Sequence, residues 1–240
     1  MKISAYSYTN PGGRDHNEDS LRLDTAGDRG VFVLADGLGG HGCGEVASAL
    51  AVDTIFNGCA GNAAPDETEM EALFQSANGE ILRQQQAAPA QAEMRTTAVA
   101  LHVAGEHAVW AHIGDSRLYR FSGGELAGVT ADHSVTYRKF LGGEISYMDT
   151  YHDDDRSRLL RVLGREPCKM ESGSGPVRPG DAFLLCSDGF WEYVYNEEME
   201  IDLCKAADPE QWAQLMLLRH IRRTPPGNDN VSLIAVFVEE

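Results

Sequence analysis

Three short apolar runs punctuate the chain and read as buried strands: Gly30-Val-Phe-Val-Leu-Ala35, Asp181-Ala-Phe-Leu-Leu-Cys186 and Val231-Ser-Leu-Ile-Ala-Val-Phe237. Residues 3–9 read as a further strand. From Cys43 to Gly58, Val46, Ala47, Leu50, Ala51, Thr54 and Ile55 recur at helical spacing. After the loop Asn62-Ala-Ala-Pro-Asp66, a second helix is expected from about Glu67 to Gln86, with Met70, Leu73, Phe74, Ala77 and Ile81 on one face. Strands follow at Thr97–Val103, His107–Ile113, Arg117–Phe121 and Leu126–Val129, with Gly105-Glu106 and Ser122-Gly-Gly124 as hairpin turns. The polar stretch from Asp132 to Arg165 breaks this series. It predicts a surface insertion with a short helix at Val135–Leu141 and an acidic loop at Tyr151-His-Asp-Asp-Asp155, the strands resuming at Asp181. Helices near Glu192–Ala206 and Pro209–Arg222 close the chain. Consecutive hairpins with helices in pairs favour antiparallel α+β layering over a βαβ series, and residues 1–240 read as one domain.

Candidate chemistry sits at the ends of these strands. Asp19, Asp36, Asp188 and Asp229 stand at apparent turns, three of them beside the apolar runs, and Gly37 and Gly189 follow two of them. Glycine there predicts a sharp turn and an accessible carbonyl. Carboxylates converging from separate strand ends repel one another unless a hard cation neutralises them. All-oxygen ligands suit Mg²⁺ or Mn²⁺. Two such ions sharing a carboxylate and a water would generate a hydroxide able to attack phosphorus in line. Arg14, four residues before Glu18, is a planar donor fitted to a phosphate.

Composition narrows the field. The 240 residues carry a net charge of −17, which disfavours nucleic acid and anionic lipid. No apolar stretch reaches a membrane span, and the N-terminus lacks the apolar core of a signal peptide. The five cysteines are scattered, against a disulfide framework or zinc-thiolate site and consistent with a reducing cytoplasm. Gly37-Leu-Gly-Gly-His-Gly42 fits the dinucleotide-binding fingerprint, but the required second strand and its acid do not follow. Ser116 and Ser187 have no visible triad partners.

Arg14-Asp-His-Asn-Glu-Asp19, Ala35-Asp-Gly-Leu-Gly-Gly-His-Gly42, Ile113-Gly-Asp-Ser-Arg117, Thr130-Ala-Asp-His-Ser134, Leu159-Leu-Arg-Val-Leu-Gly164, Cys186-Ser-Asp-Gly-Phe-Trp191 and Asn228-Asp-Asn230 occur in one order along the chain. In these motifs the chain resembles the metal-dependent protein phosphatases, the type 2C Ser/Thr family, in their compact bacterial form. The resemblance implies a four-layer α-β-β-α sandwich of two antiparallel sheets flanked by helix pairs, with the insertion at 132–165 as a flap. It implies hydrolysis of phosphoserine and phosphothreonine in proteins by direct attack of a metal-bridging hydroxide, without a phosphoenzyme. Asp36 would bridge two metals, with the Gly37 carbonyl on one. Asp188 and Asp229 would hold the first and Glu18 the second, with Asp19 supporting from behind. Asp115 with Asp188 would hold a third, weaker metal, and Arg14 the substrate phosphate. Expected partners are phosphoproteins, including a Ser/Thr kinase and its targets, with the enzyme a cytoplasmic monomer.

Several positions depart from the family or read as structural. Leu38 stands where animal members place a histidine, so the general acid is unassigned. His41 reads as a packing residue of the glycine loop, Arg95 as solvent-facing, and Asp153–Asp155 as a solvated flap edge. Phe190 and Trp191 read as core anchors, and Cys43 and Cys186 as small apolar groups. Two alternatives stay open: a catalytically silent phosphoprotein-binding module, and a phosphatase dedicated to one small anti-sigma antagonist.

Overall fold

The computed structural model describes residues 1–39, 43–62 and 64–240. Its strands form two antiparallel sheets. The first runs in the order β1 (Lys2–Asn10), β11 (Val231–Glu239), β10 (Ala182–Cys186), β7 (Arg117–Ser122) and β8 (Glu125–Val129). The second runs β2 (Asp19–Ala26), β3 (Arg29–Leu38), β5 (Ala98–Ala104), β6 (His107–Ile113) and β9 (Glu171–Pro176), with the short β4 (Arg95–Thr96) paired to the end of β3.

Three buried clusters define the layers. Phe32, Leu34, Leu101, Leu185, Ile234 and Val236 fill the space between the sheets. Val33, Ala35, Ile55, Phe74 and Ile81 join the second sheet to α1 (Cys43–Gly61) and α2 (Glu67–Ala87). Tyr119, Leu184, Leu233, Trp212 and Met216 join the first sheet to the helices on its outer face, of which α6 (Pro209–Arg223) is the longest. Alternate residues of β3 therefore enter different cores, which is why it is apolar throughout instead of alternating. The α-β-β-α sandwich expected from the sequence is present.

Local signals place the helices. Asp66 and Glu69 form a reciprocal capping box at the start of α2. Asp208 caps α6, with Pro209 in its first turn, and Ser134 caps α3 (Val135–Leu141) in the insertion. The expected helix at 192–206 is instead α4 (Asp188–Trp191) and α5 (Asn196–Leu203), separated around Tyr195. Three strands, β2, the two-residue β4 and β9, lie where none was expected, and with β9 the strand series resumes at Glu171 rather than Asp181. Among the described residues no helix is long and apolar enough to cross a membrane.

Candidate active site

One cleft of about 890 Å³ is lined by Arg14, Glu18, Asp36, Gly37, Leu38, Asp115, Asp188, Asp229 and Asn230, with Ser157 and Leu159 of the insertion at its side. The structure thus brings together every site residue expected from the sequence except Asp19, which lies behind the cleft wall.

Asp36 is not at a turn. It lies inside β3, directly across from Asp19 at the head of β2. Its backbone is fixed from several sides: its N–H donates to Thr97 Oγ1 at 2.9 Å, and its carbonyl accepts from the Thr96 hydroxyl at 2.7 Å and the Thr97 N–H at 2.9 Å. Gly37 and Gly189 also depart from the expectation of sharp turns, since neither has a positive φ. Glycine is required there by crowding. A Cβ on Gly37 would stand 2.3 Å from the Gly44 carbonyl oxygen, and one on Gly189 would stand 2.1 Å from that of Asn230.

Asn230, unremarked in the sequence reading beyond its motif, holds the Arg14–Asp19 segment in place. Its side-chain oxygen accepts from the Glu18 N–H at 2.8 Å, and its amide donates to the carbonyls of Pro11 and His16, each at 2.9 Å. Ser48 of α1 donates to the Glu18 carbonyl at 2.6 Å. Ser187 is a second supporting residue: it donates to Asp19 Oδ2 at 2.9 Å and accepts from the Ser232 N–H at 3.1 Å. Arg14 is exposed and pairs with Asp229 at 3.0 Å.

The electrostatics are one-sided. Burial, then the charge of Asp188, pushes the Asp36 carboxyl well above its usual range. Asp115 is raised for the same reasons. Burial also raises Asp19 to about 7 and Asp188 to about 6, with Asp229 adding repulsion to each. Glu18 is raised mainly by burial. Among the described residues no lysine or arginine forms an ion pair with Asp19, Asp36, Asp115 or Asp188, and Asp19 Oδ1 is buried without a partner. Seven carboxylates line the cleft, Asp15 and Glu45 besides Glu18, Asp36, Asp115, Asp188 and Asp229, and among the described lining residues Arg14 is the one arginine or lysine, a set suited to hard divalent cations.

Other expectations resolve simply. Phe190 and Trp191 are buried. Cys186 is buried, while Cys43 is half-buried with its thiol against the Ala90 carbonyl at 3.3 Å. Arg95 is half-exposed and pairs with Glu93 at 2.7 Å. Asp153 and Asp155 are not merely solvated: both pair with Lys139, tying the acidic loop to α3. Leu38 lines the cleft, and His41 lies outside the described residues.

Comparisons with known proteins bear on the family and the fold. The family model described as Protein phosphatase 2C matches residues 13–215. The serine/threonine phosphatase stp of Listeria monocytogenes serotype 4b is 31% identical over 230 residues, covering 93% of this chain and 90% of that protein. The crystal structure of the Mycobacterium tuberculosis serine/threonine phosphatase PstP/Ppp superposes with a TM-score of 0.90 at 27% identity, covering 100% of both chains. The catalytic domain of PstP in complex with two manganese ions gives a TM-score of 0.88 at 27% identity, covering 100% of this chain and 99% of that one. The chain belongs to the protein phosphatase 2C family.

Proposed function

We propose that this protein is a metal-dependent protein Ser/Thr phosphatase that hydrolyses phosphoserine and phosphothreonine in phosphoproteins. The observation that carries the reading is the convergence of Glu18, Asp36, Asp115, Asp188 and Asp229 on one cleft with a single exposed arginine. The PstP catalytic domain that superposes here holds two manganese ions. The carboxylates of this chain suit two Mg²⁺ or Mn²⁺ ions, and the unpartnered Asp19 Oδ1 fits a site with an external cation nearby.

Asp36 would bridge the pair, with Asp188 and Asp229 on one ion, Glu18 on the other, and the Gly37 carbonyl completing the set. Asp19 would orient the site from behind through Ser187. Asp115, with Asp188, would hold a third and weaker ion. When bound there, such ions would supply a readily deprotonated water as the nucleophile for phosphorus and would neutralise charge on the phosphoryl oxygens. Arg14 grips the phosphate through its planar fork. Thr96, Thr97 and Asn230 hold the Asp36 and Glu18 backbones rigid, so little reorganisation accompanies the reaction.

The reading extends to one catalytic domain over residues 1–240 with residues 132–165 as its flap, acting as a cytoplasmic monomer opposite a Ser/Thr kinase. The test is phosphate release from a phosphothreonine peptide with Mn²⁺, with EDTA, and with Asp188→Asn. Release that needs Mn²⁺ and Asp188 supports it. No release despite bound metal sinks it in favour of a silent binding module. Action on one phosphoprotein of a broad panel would narrow it to a dedicated regulator.

A further inference from the structure

We propose that His133 is a positioning residue for this reaction: its ring, anchored by Glu171, fixes the Gly114–Asp115 turn that presents Asp115 to the cleft, and so ties the root of the 132–165 insertion to the site. The inference rests on the phosphatase reading above and deepens it.

Two hydrogen bonds join His133 to Gly114. The His133 backbone N–H donates to the Gly114 carbonyl at 2.8 Å, and the Gly114 N–H donates to His133 Nδ1 at 3.1 Å. With Nδ1 accepting, the ring proton lies on Nε2, which faces Glu171 Oε1 at 3.3 Å. Arg161 Nη1 donates to the same carboxylate at 2.8 Å. Its 3.1 Å approach to His133 Nε2 sets one donor against another and is no bond. The His133 carbonyl accepts from the Leu160 N–H at 2.7 Å, so this one residue joins the outgoing and returning ends of the insertion to the turn.

The turn needs such support. Gly114 has φ +101°, and a Cβ there would meet Thr97 Cβ at 2.7 Å. Asp115 is 3% exposed, and its carbonyl accepts from Trp191 Nε1 at 2.9 Å. His133 reaches this turn from the insertion through both its backbone and its ring.

His112, His133 and Glu171 also lie close enough together to suggest a metal site. Two observations count against it. The imidazoles stack with centroids 4.7 Å apart and planes 14° from parallel, whereas each binds a metal in its own ring plane. Moreover, both nitrogens of His133 already have partners.

The experiment compares wild type, His133→Ala and His133→Asn by Mn²⁺-dependent phosphate release, with thermal melts of each. The asparagine carbonyl stands in for Nδ1 as acceptor from Gly114. Alanine is expected to lower kcat about tenfold with peptide KM within about twofold, and asparagine to restore most of kcat. Wild-type kcat in the alanine variant, or an asparagine variant as slow as alanine, overturns the proposal. Should His133→Ala fail to fold, Glu171→Ala removes the anchor of the ring, with the exposed Arg161 pair, and leaves His133 itself in place. It should lower kcat by about two- to fivefold, and unchanged kcat would overturn the proposal. One equivalent of metal lost from His133→Ala by mass spectrometry, with the cleft still loaded, would replace it with a metal site. A wild type without Mn²⁺-dependent release removes the phosphatase reading itself, and this inference with it.

Discussion

Two groups of buried charge lie within a few residues of each other, and they are handled in opposite ways. Arg117 is 1% exposed, yet its guanidinium bonds both oxygens of Asp132 at 2.8 and 2.7 Å, reaches the Tyr119 hydroxyl at 3.0 Å, and lies 3.4 Å over the Trp191 ring. Every charge there is answered from within the chain. Asp115, two residues earlier, belongs with Asp36, Asp188 and Asp19 to a group of one sign, with an oxygen of Asp19 unpartnered. Burial of charge is common to both, so burial alone does not mark function. What marks it is charge that the fold leaves for something outside the chain to neutralise.

The largest expected effect falls on the self-satisfied pair. Arg117→Met strands Asp132 in a buried site and should cost about 3–5 kcal/mol of stability, whereas Arg117→Met with Asp132→Leu should recover most of it. Chemical denaturation of both variants checks this, and a stable single variant would mean that the pair is not holding the structure. On the cleft side the balance inverts. Asp188→Asn should lower phosphate release on the order of 10²–10³-fold, while the metal-free melting temperature stays level or rises, because a like charge has been removed. A fall in metal-free stability as large as the loss of activity would erase the distinction between the two groups.

A pH titration separates them in one protein. Asp19 and Asp188 have folded values raised to about 7 and about 6, above their ordinary carboxylate range. Raised acids bind more protons in the folded state than in the unfolded state. Their contribution is therefore complete below about pH 4 and lost as pH climbs through 6 to 7. In EDTA the melting temperature should rise between about pH 8 and pH 5. With Mn²⁺ present the slope should flatten or reverse, because the cation competes with protons for the same oxygens. A metal-free protein that gains stability toward alkaline pH would show that these carboxylates are answered internally after all.

Much of this contrast is legible in the sequence, for a physical reason. Asp36, Asp188 and Asp229 adjoin strands buried on both faces, whose continuous apolar runs cannot be mistaken for surface. The edge strands of the second sheet, β2 and β9, escape the same reading. Glu171-Ser-Gly-Ser-Gly-Pro176 has no apolar side chain to show a period, and it is a strand because it pairs with β6 while Ser172 and Ser174 donate to Glu71 and Glu67 of α2. Missing β2 hid the direct opposition of Asp19 and Asp36. The supporting contacts of Asn230, Ser187 and His133 depend on partners between 19 and 219 residues away, and no local pattern announces such distances. The glycines were found for the wrong reason, since the crowding at Gly37 comes from Glu18 and Gly44, which only the assembled fold brings near.

Arg14 gives the smallest effect and the finest discrimination, because among the described residues it is the one arginine or lysine lining the cleft. Its bond to Asp229 lies between side chains 56% and 51% exposed, so the pair contributes little to stability. Arg14→Lys should therefore leave the melting temperature unchanged while raising peptide KM about fivefold, through loss of the bidentate grip on phosphate. On the proposed assignment a cation held by Asp229 would replace Arg14 as its neutralising partner, leaving the guanidinium available to substrate. The KM penalty of Arg14→Lys should accordingly appear at saturating Mn²⁺, where Asp229 no longer engages the side chain. Unchanged KM under that condition would leave Arg14 as a surface partner of Asp229 and place phosphate recognition elsewhere in the cleft.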